Sequence, residues 1–359
     1  MFVYNYGYRI AATSEENLIE LNRKDIKSMT IKEISEDFKV YKMPSFRAFQ
    51  VYFWICGGAE SFKSMTNIPQ ALQQRLEEKY YIPSISIARK KVSKDGTIKY
   101  LFELSDGGLV ESVLMKYSHG YSICISTQEG CKMGCAFCVT GQNGFKRNLR
   151  ASEMLLQIEA AQKDNGIRIS NVVLMGMGEP LDNYDEVIRF LSLVSEPKGL
   201  GIGMRHISLS TCGLVDKIYD LANENLQITL SISLHAPNDT LRSSLMKINN
   251  RWNIQSLMDA CRYYVTRTNR RISFEYAMIQ GITDTTQCAT ELAELLSGML
   301  CHVNLIPLNK SGNSELCKSS INKIYSFRNS LEKKGIHATI RRTLGADIEA
   351  ACGQLKSNR

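Results

Sequence analysis

No apolar run in this 359-residue sequence approaches the roughly 20 residues that a membrane-spanning helix requires. The stretch Met1 to Ile10 has no basic region followed by an apolar one, so no secretory signal is expected, and a cytoplasmic location without membrane attachment is. Low-complexity segments and short-period repeats are also missing. Charge is only mildly one-sided. The 44 Lys and Arg against 36 Asp and Glu give a formal net charge of +8, which tolerates a polyanionic partner without selecting one. With 44% hydrophobic and 22% charged residues, the chain has an ordinary globular balance, and its length suits one large domain with a smaller appendage. Cysteine is well represented. Eleven of them, an odd number in a chain without a visible export signal, argue against a disulfide framework and for metal binding or cysteine chemistry.

Three regions follow one another. Residues 15–79 carry helical patterning, with Pro69 placed early in a helix in Asn67-Ile68-Pro69-Gln70-Ala71-Leu72. From Ser84 to Lys116 apolar and polar residues alternate, broken at Lys94-Asp95-Gly96 and Asp106-Gly107-Gly108, which predicts a small antiparallel sheet. From Tyr121 onward, short apolar runs (Ser122–Ser126, Asn171–Met175, His206–Ser210, Ile228–Leu234, Ile272–Ile279, Val303–Leu308) alternate with helical spacing, as in Ser152–Lys163, Gln255–Val265, Ala289–Leu300 and Ile321–Lys334. Six βα units of this kind predict an α/β fold, a partial or full (β/α)6 barrel, with Ile336–Arg341 closing or flanking its sheet. The expected organisation is a helical accessory domain over 1–80, a small antiparallel β extension over 81–118, a (β/α)6 core over 119–345 and a tail over 346–359.

The sharpest motif is Cys131-Lys132-Met133-Gly134-Cys135-Ala136-Phe137-Cys138. Three soft thiolates on one loop suit a soft metal centre, and three ligands to a four-iron cluster leave one iron open for a substrate. The alternatives are a zinc site or three buried cysteines. Structural zinc usually takes four ligands in paired CxxC spacing, which CxxxCxxC is not. CxxxCxxC with an aromatic before the third cysteine resembles the signature of the radical S-adenosylmethionine superfamily. In that superfamily the open iron chelates S-adenosyl-L-methionine, and one electron cleaves the sulfonium to a 5′-deoxyadenosyl radical.

Further motifs narrow the resemblance. Gly141-Gln142-Asn143-Gly144-Phe145-Lys146-Arg147-Asn148-Leu149, Met175-Gly176-Met177-Gly178-Glu179-Pro180, Ser231-Ile232-Ser233-Leu234-His235-Ala236-Pro237-Asn238-Asp239 and Asp347-Ile348-Glu349-Ala350-Ala351-Cys352-Gly353-Gln354-Leu355 together resemble the RlmN/Cfr family of RNA adenine methyltransferases. The match runs from about Met43 to Leu355. Phe46-Arg47-Ala48-Phe49-Gln50 resembles the family's N-terminal segment, with Phe49 where a Lys is commoner.

The resemblance implies a radical-SAM partial (β/α)6 barrel with an RNA-binding accessory domain. It implies a [4Fe-4S] cluster on Cys131, Cys135 and Cys138, and S-adenosylmethionine contacts at Gly178, Glu179, Ser210, Ser233, Leu234, His235 and Asn309. All of these positions fall at C-terminal ends of predicted strands, the rim where such folds assemble sites. Taken singly, each has an ordinary reading: the glycines as turn formers, Ser210 as a cap, His235 as a satisfied structural imidazole.

Two cysteines outside the motif carry the unusual chemistry that the resemblance implies. The C2 and C8 carbons of adenine are not nucleophilic, so direct methyl displacement fails. Cys352 instead takes a methyl from one S-adenosylmethionine. A radical from a second removes hydrogen from that methyl group, and the methylene adds to the base. The ring proton leaves, with Glu111 as the implied acceptor. Cys124 then attacks the Cys352 sulfur, releasing the methylated base and leaving a disulfide for an external reductant. Burial as an inert thiol is the ordinary reading for Cys124 and Cys352, and it is expected for Cys56, Cys212, Cys261, Cys288, Cys301 and Cys317. For Glu111 the ordinary reading is a solvated strand carboxylate.

The implied substrates are an unstacked adenosine in the peptidyl-transferase loop of 23S ribosomal RNA and the adenosine 3′ of the anticodon in tRNA. Candidate RNA contacts are Lys146, Arg147 and Arg150, then Arg267, Arg270 and Arg271, then Arg341 and Arg342. Pro180 and Ile306-Pro307-Leu308-Asn309 look like the RlmN branch, which methylates C2. Met115-Lys116-Tyr117 also occurs in chains of the Cfr branch, which methylates C8 and confers antibiotic resistance. C2 is the expected position. A flavodoxin or ferredoxin is the expected electron donor, and a monomer the expected state. Two other classes stay open: a zinc-dependent RNA-binding module with Cys124 as fourth ligand, and a radical activase that makes a glycyl radical.

Overall fold

The alternation that begins at residue 84 and the apolar runs that follow it are built into one sheet. A computed structural model describes residues 23–309 and 316–356, and these divide into two compact units at Pro83/Ser84.

The first unit is helical. Strand β1 (Lys24–Asp25) pairs in parallel with β2 (Tyr80–Tyr81), and between them lie α1 (Ile31–Val40), α2 (Phe46–Cys56) and α3 (Gln70–Lys79). Thr30 starts α1 with a reciprocal capping box to Glu33, and Pro69 is the residue from which α3 begins. Ile34, Phe38, Val51, Ile55 and Leu76 form its core.

The second unit opens with the antiparallel strands β3 (Ile85–Val92), β4 (Ile98–Leu104) and β5 (Leu109–Tyr117), turning at the two predicted breaks. They do not form a sheet of their own. Strand β6 (Gly120–Cys124) pairs antiparallel with β5, Cys124 opposite Val113, and is also the first strand of the parallel part. A short antiparallel pair, β7 (Gln128–Gly130) and β8 (Phe145–Asn148), brackets the loop 131–144. Then come β9 (Ile169–Leu174), β10 (Ile207–Thr211), β11 (Thr229–Ser233), β12 (Ile272–Met278), β13 (Cys301–Pro307) and β14 (Ala338–Ile340), each parallel to its neighbour. Helices such as Ala151–Asn165, Tyr184–Ser195 and Ile254–Thr268 make the crossovers that parallel pairing demands.

The ten-stranded order runs from β14 at one edge to β3 at the other, so the predicted barrel is partial and open, and the run 336–341 flanks it as a seventh parallel strand. Ile123, Val172, Leu209, Leu230, Phe274 and Leu305, all buried, sit in the core shared by sheet and helices. Among the described residues, no helix is long and apolar enough to cross a membrane.

Candidate active site

Parallel strands present their C-terminal ends together, and there the loops gather most of the predicted residues. Gly178, Glu179, Ser210, Ser233, His235 and Asn309 line one cavity of about 170 Å³ together with Cys131, Cys135 and Cys138. Leu234 does not join them: its side chain is wholly buried in the core, and its carbonyl accepts from Arg242 Nε at 3.2 Å.

Close packing fixes the loop after β9. Gly178 has φ +107°, and a Cβ there would stand 2.7 Å from that of Gln128, so only glycine fits. Glu179 is buried, its backbone N–H donates to Gln128 Oε1 at 2.8 Å, and its carboxylate accepts from the amides of Leu181 and Cys212 at 3.0 and 2.7 Å. The carboxylate thus ties the end of β9 to the end of β10. His235 sits in the left-handed region at φ +58°. Its Nδ1 accepts from the Ala277 amide at 3.0 Å, so the neutral ring carries its proton on Nε2, and it packs edge to face with the Phe137 ring, the centroids 4.7 Å apart. Burial, with the Arg242 charge, lowers its pKa to about 3.

The cysteine loop hangs between β7 and β8. Cys131 N donates to Gly144 O at 2.8 Å, closing the loop at its base, and Ala136 N reaches Leu245 O at 2.9 Å. Burial pushes the Cys135 thiol up, and the nearby Cys138 and Cys131 sulfurs push it further. Three soft donors on one loop, all facing the cavity lined by the strand ends, fit an iron–sulfur cluster with substrate beside it. The zinc reading needs Cys124 as a fourth ligand. Cys124 lines a neighbouring cavity instead.

That second cavity is smaller, about 50 Å³, and lies under the C-terminal tail. Its wall includes Cys124, Met115 and Tyr117 from the sheet, Arg341 after β14, and Ala351 and Cys352 from the tail. Cys352 lines both cavities. Burial, then the proximity of Cys352, pushes the Cys124 thiol up to about 12. The tail is held against the cysteine loop by Val139 N to Gly353 O at 2.8 Å and by the Thr140 hydroxyl to Leu355 O at 2.7 Å. Asn309 Nδ2 donates to Cys352 O at 3.4 Å. Gly353, at φ +80°, would place a Cβ 2.9 Å from Phe137 O.

Glu111 is placed elsewhere. Its carboxylate is paired with Lys99 at 2.9 Å, accepts from the Lys356 amide at 2.8 Å, and faces a third cavity. Burial raises its pKa, opposed by Lys99. Several predicted RNA-binding cations are also engaged within the fold: Lys146 with Glu129 at 2.6 Å, Arg147 with both oxygens of Glu153 at 2.8 Å, Arg341 with Glu275 at 3.6 Å.

Two site residues are not legible as such in the sequence. Arg341 reads as surface charge, yet it lines both cavities. Arg242 is fully buried in the helix Asp239–Leu245 and donates to the carbonyls of Leu234 and, at 2.6 Å, Cys212, and to Asn249 Oδ1 at 2.9 Å. It clamps the ends of β10 and β11. Its one sequence signal is a cation one turn after the Asn238 cap of a helix that follows a strand.

Comparison with known proteins agrees with this geometry. Residues 125–293 match the radical SAM superfamily, and residues 17–82 match the ribosomal RNA large subunit methyltransferase N-terminal domain. A protein of Clostridium tetani named "Probable dual-specificity RNA methyltransferase RlmN" is 50% identical over 95% of this chain and 95% of its own. The chain belongs to the RlmN family of radical SAM RNA methyltransferases. A relative of the same name from Alkaliphilus oremlandii is 51% identical over 94% of this chain and 98% of its own. The crystal structure of a radical SAM methyltransferase from Sphaerobacter thermophilus superposes with a TM-score of 0.88 at 42% identity, covering 93% of this chain and all of that one. As an RlmN-family enzyme the chain uses a [4Fe-4S] cluster and S-adenosylmethionine.

Proposed function

We propose that this enzyme methylates C2 of an adenosine in the peptidyl-transferase loop of 23S ribosomal RNA and of the adenosine 3′ of the anticodon in tRNA, with Cys352 as carbon carrier and Cys124 as resolving thiol. The supporting observation is that Cys352 lines both the cavity of the cluster thiols and the cavity of Cys124. Cys131, Cys135 and Cys138 would hold the cluster, with Gly178, Glu179, Ser210, Ser233, His235 and Asn309 around S-adenosylmethionine and Leu234 contributing backbone alone. When bound, cluster and cofactor supply the methyl group and the hydrogen-abstracting radical.

This chain's residues do the rest. Asn309 and Val139 hold the carbonyls of Cys352 and Gly353, which orients the Cys352 sulfur between the cavities. Cys124, with its raised pKa, waits as a thiol at neutral pH. As it gives up its proton and attacks Cys352, a sulfur–sulfur bond forms and the bond from sulfur to the transferred carbon breaks, leaving its electron pair on the exocyclic methylene of the base, which takes up a proton to become the methyl group. A dithiol reductant restores the pair. Electrons for the cluster would come from a flavodoxin or ferredoxin, in the cytoplasm, to a monomeric enzyme.

Hydrogen bonding favours a holding role for Glu111 over proton acceptance, because Lys99 and the Lys356 amide occupy its two oxygens. Glu111→Gln separates the two roles. Loss of a base stalls the RNA adduct, whereas loss of a holder lowers methylation of Cys352 before RNA is involved.

Digested ribosomal RNA from a host expressing the protein tests the proposal. It should contain 2-methyladenosine at the peptidyl-transferase site; 8-methyladenosine there would move the chain to C8 chemistry. Cys124→Ala should accumulate an RNase-sensitive protein–RNA crosslink, and a Cys124→Ala variant that turns over normally would remove the resolving role.

A further inference from the structure

The third cavity, about 280 Å³, lies on one face of the antiparallel strands and under the tail. Alternation along β3 turns Arg89 and Lys91 to this face and Lys90 to the other, where Asp164 binds Lys90 at 2.5 Å. Register places Arg89 opposite Leu101 and Lys91 opposite Lys99, with Glu111 next across on β5. The tail adds Glu349 and Lys356. Four cations therefore meet two carboxylates, and both carboxylates are taken: Glu111 by Lys99 at 2.9 Å, Glu349 by Lys356 Nζ at 3.4 Å. Arg89 and Lys91 are exposed and have no ionic or hydrogen-bonding side-chain partner among the described residues.

Such a site differs from an ordinary basic patch. Its two free cations stand on a rigid strand, at the mouth of a cavity whose floor is an internally neutralised Lys99–Glu111 pair. The excess charge is positive and localised, as an anion site requires. The tail that roofs this cavity with Glu349 and Lys356 also walls the reaction cavity with Ala351 and Cys352. Cys352 is three steps of chain beyond Glu349, at most about 11 Å even fully extended. A polyanion lying along Arg89 and Lys91 therefore lies against the same tail segment that carries Cys352.

We infer that Arg89 and Lys91 bind the phosphodiester backbone of the RNA strand next to the target adenosine. The inference rests on the functional reading above and adds the strand-binding surface to it. Phosphate contacts carry no base preference, so they position the strand and do not select it.

Titration of the full-length protein with a 23S ribosomal RNA fragment carrying the peptidyl-transferase loop, at several salt concentrations, tests this. Arg89→Gln and Lys91→Gln should each weaken binding and flatten the plot of log K against log salt by about 0.7 for each phosphate that is no longer neutralised. They should also raise KM for RNA methylation. Lys94→Gln, an exposed cation on the neighbouring turn and outside the cavity, should leave the slope in place. Both test side chains are exposed, so folding is not at stake. An unchanged slope in the double variant, or an equal loss in Lys94→Gln, overturns this inference alone. A wild-type protein that neither binds nor methylates the fragment overturns the functional reading and this inference with it.

Discussion

The two cavities that share Cys352 are walled by different kinds of structure. Around the cluster thiols, each candidate contact stands within a few residues of the end of a parallel strand, so its place is set by a ladder of backbone hydrogen bonds. Glu179 and Arg242 cross-tie the strand ends from behind. Around Cys124 one wall is equally regular, but the other is the tail. Beyond the short 3-10 turn Ala346–Ile348 the tail has no helix or strand among the described residues, and it is held by single hydrogen bonds to Lys99, Asn309, Val139, Thr140 and Glu111 and by the packing of Ala350 and Leu355 against Val113 and Cys124. A group that only binds a cofactor can sit on a rigid rim. On the proposed function the Cys352 sulfur takes up a methyl group in one chamber and meets Cys124 in the other, and a segment without regular secondary structure serves both better than a strand end does.

Losing a reacting atom on either side should have the largest effect. Cys135→Ala and Cys352→Ala are both expected to abolish RNA methylation, but iron analysis should separate them, with iron lost only in the first. Equal iron content in both would deny the division between the two walls. Next in size is the rim clamp. Arg242→Met leaves the carbonyls of Cys212 and Leu234 without their donor, and urea unfolding should show a loss of about 3 kcal/mol or more.

His235 tests the rim by pH. Its folded pKa lies near 3 against 6.5 for a free imidazole, so the unfolded chain takes up a proton that the native one refuses. Stability from this residue is complete above pH 6.5 and falls by about 1.4 kcal/mol for each unit of pH below it, down to the folded value. His235→Asn, which tolerates the left-handed backbone, should flatten that part of the difference curve.

On the tail side effects should be smaller. Gly353→Ala adds a Cβ against Phe137 O in a left-handed conformation, a strain of about 1–2 kcal/mol, or about fivefold to thirtyfold in turnover, with iron content unchanged. Smallest of all is Asp347→Asn, which weakens the bonds from Ser93 and the Lys94 amide. Global unfolding should not move, whereas limited proteolysis should clip the tail faster.

The contrast between rim and tail also explains what is legible in the sequence. Strands β9 to β13 announce themselves by apolar runs between helical segments, and the three thiols by their spacing, because these signals are local. The open edge is not legible in the same way, since Ile336–Arg341 reads alike as a closing or a flanking strand. Glu111 reads as a lone strand carboxylate until the chain brings Lys356 to it from 245 positions away. Lys146 and Arg147 read as free cations because their acceptors, Glu129 and Glu153, are fixed by the β7–β8 pair and a helix cap, and not by sequence neighbourhood. Arg242 is hidden for the same reason: its carbonyl acceptors, Cys212 and Leu234, follow the ends of two different strands.

The sheet also has a mechanical side. The chain leaves β14, one edge of the sheet, and its tail is next fastened to the β3–β4 turn at the opposite edge, through Asp95 to the Gly345 amide at 2.9 Å and Ser93 to Asp347 at 2.5 Å. The ring that the strands leave open is thus completed by a belt, and its buckle is a few side-chain bonds on an exposed hairpin. Because these bonds join side chains and loop amides, the belt is fastened without adding a single pairing to the ladders of the sheet.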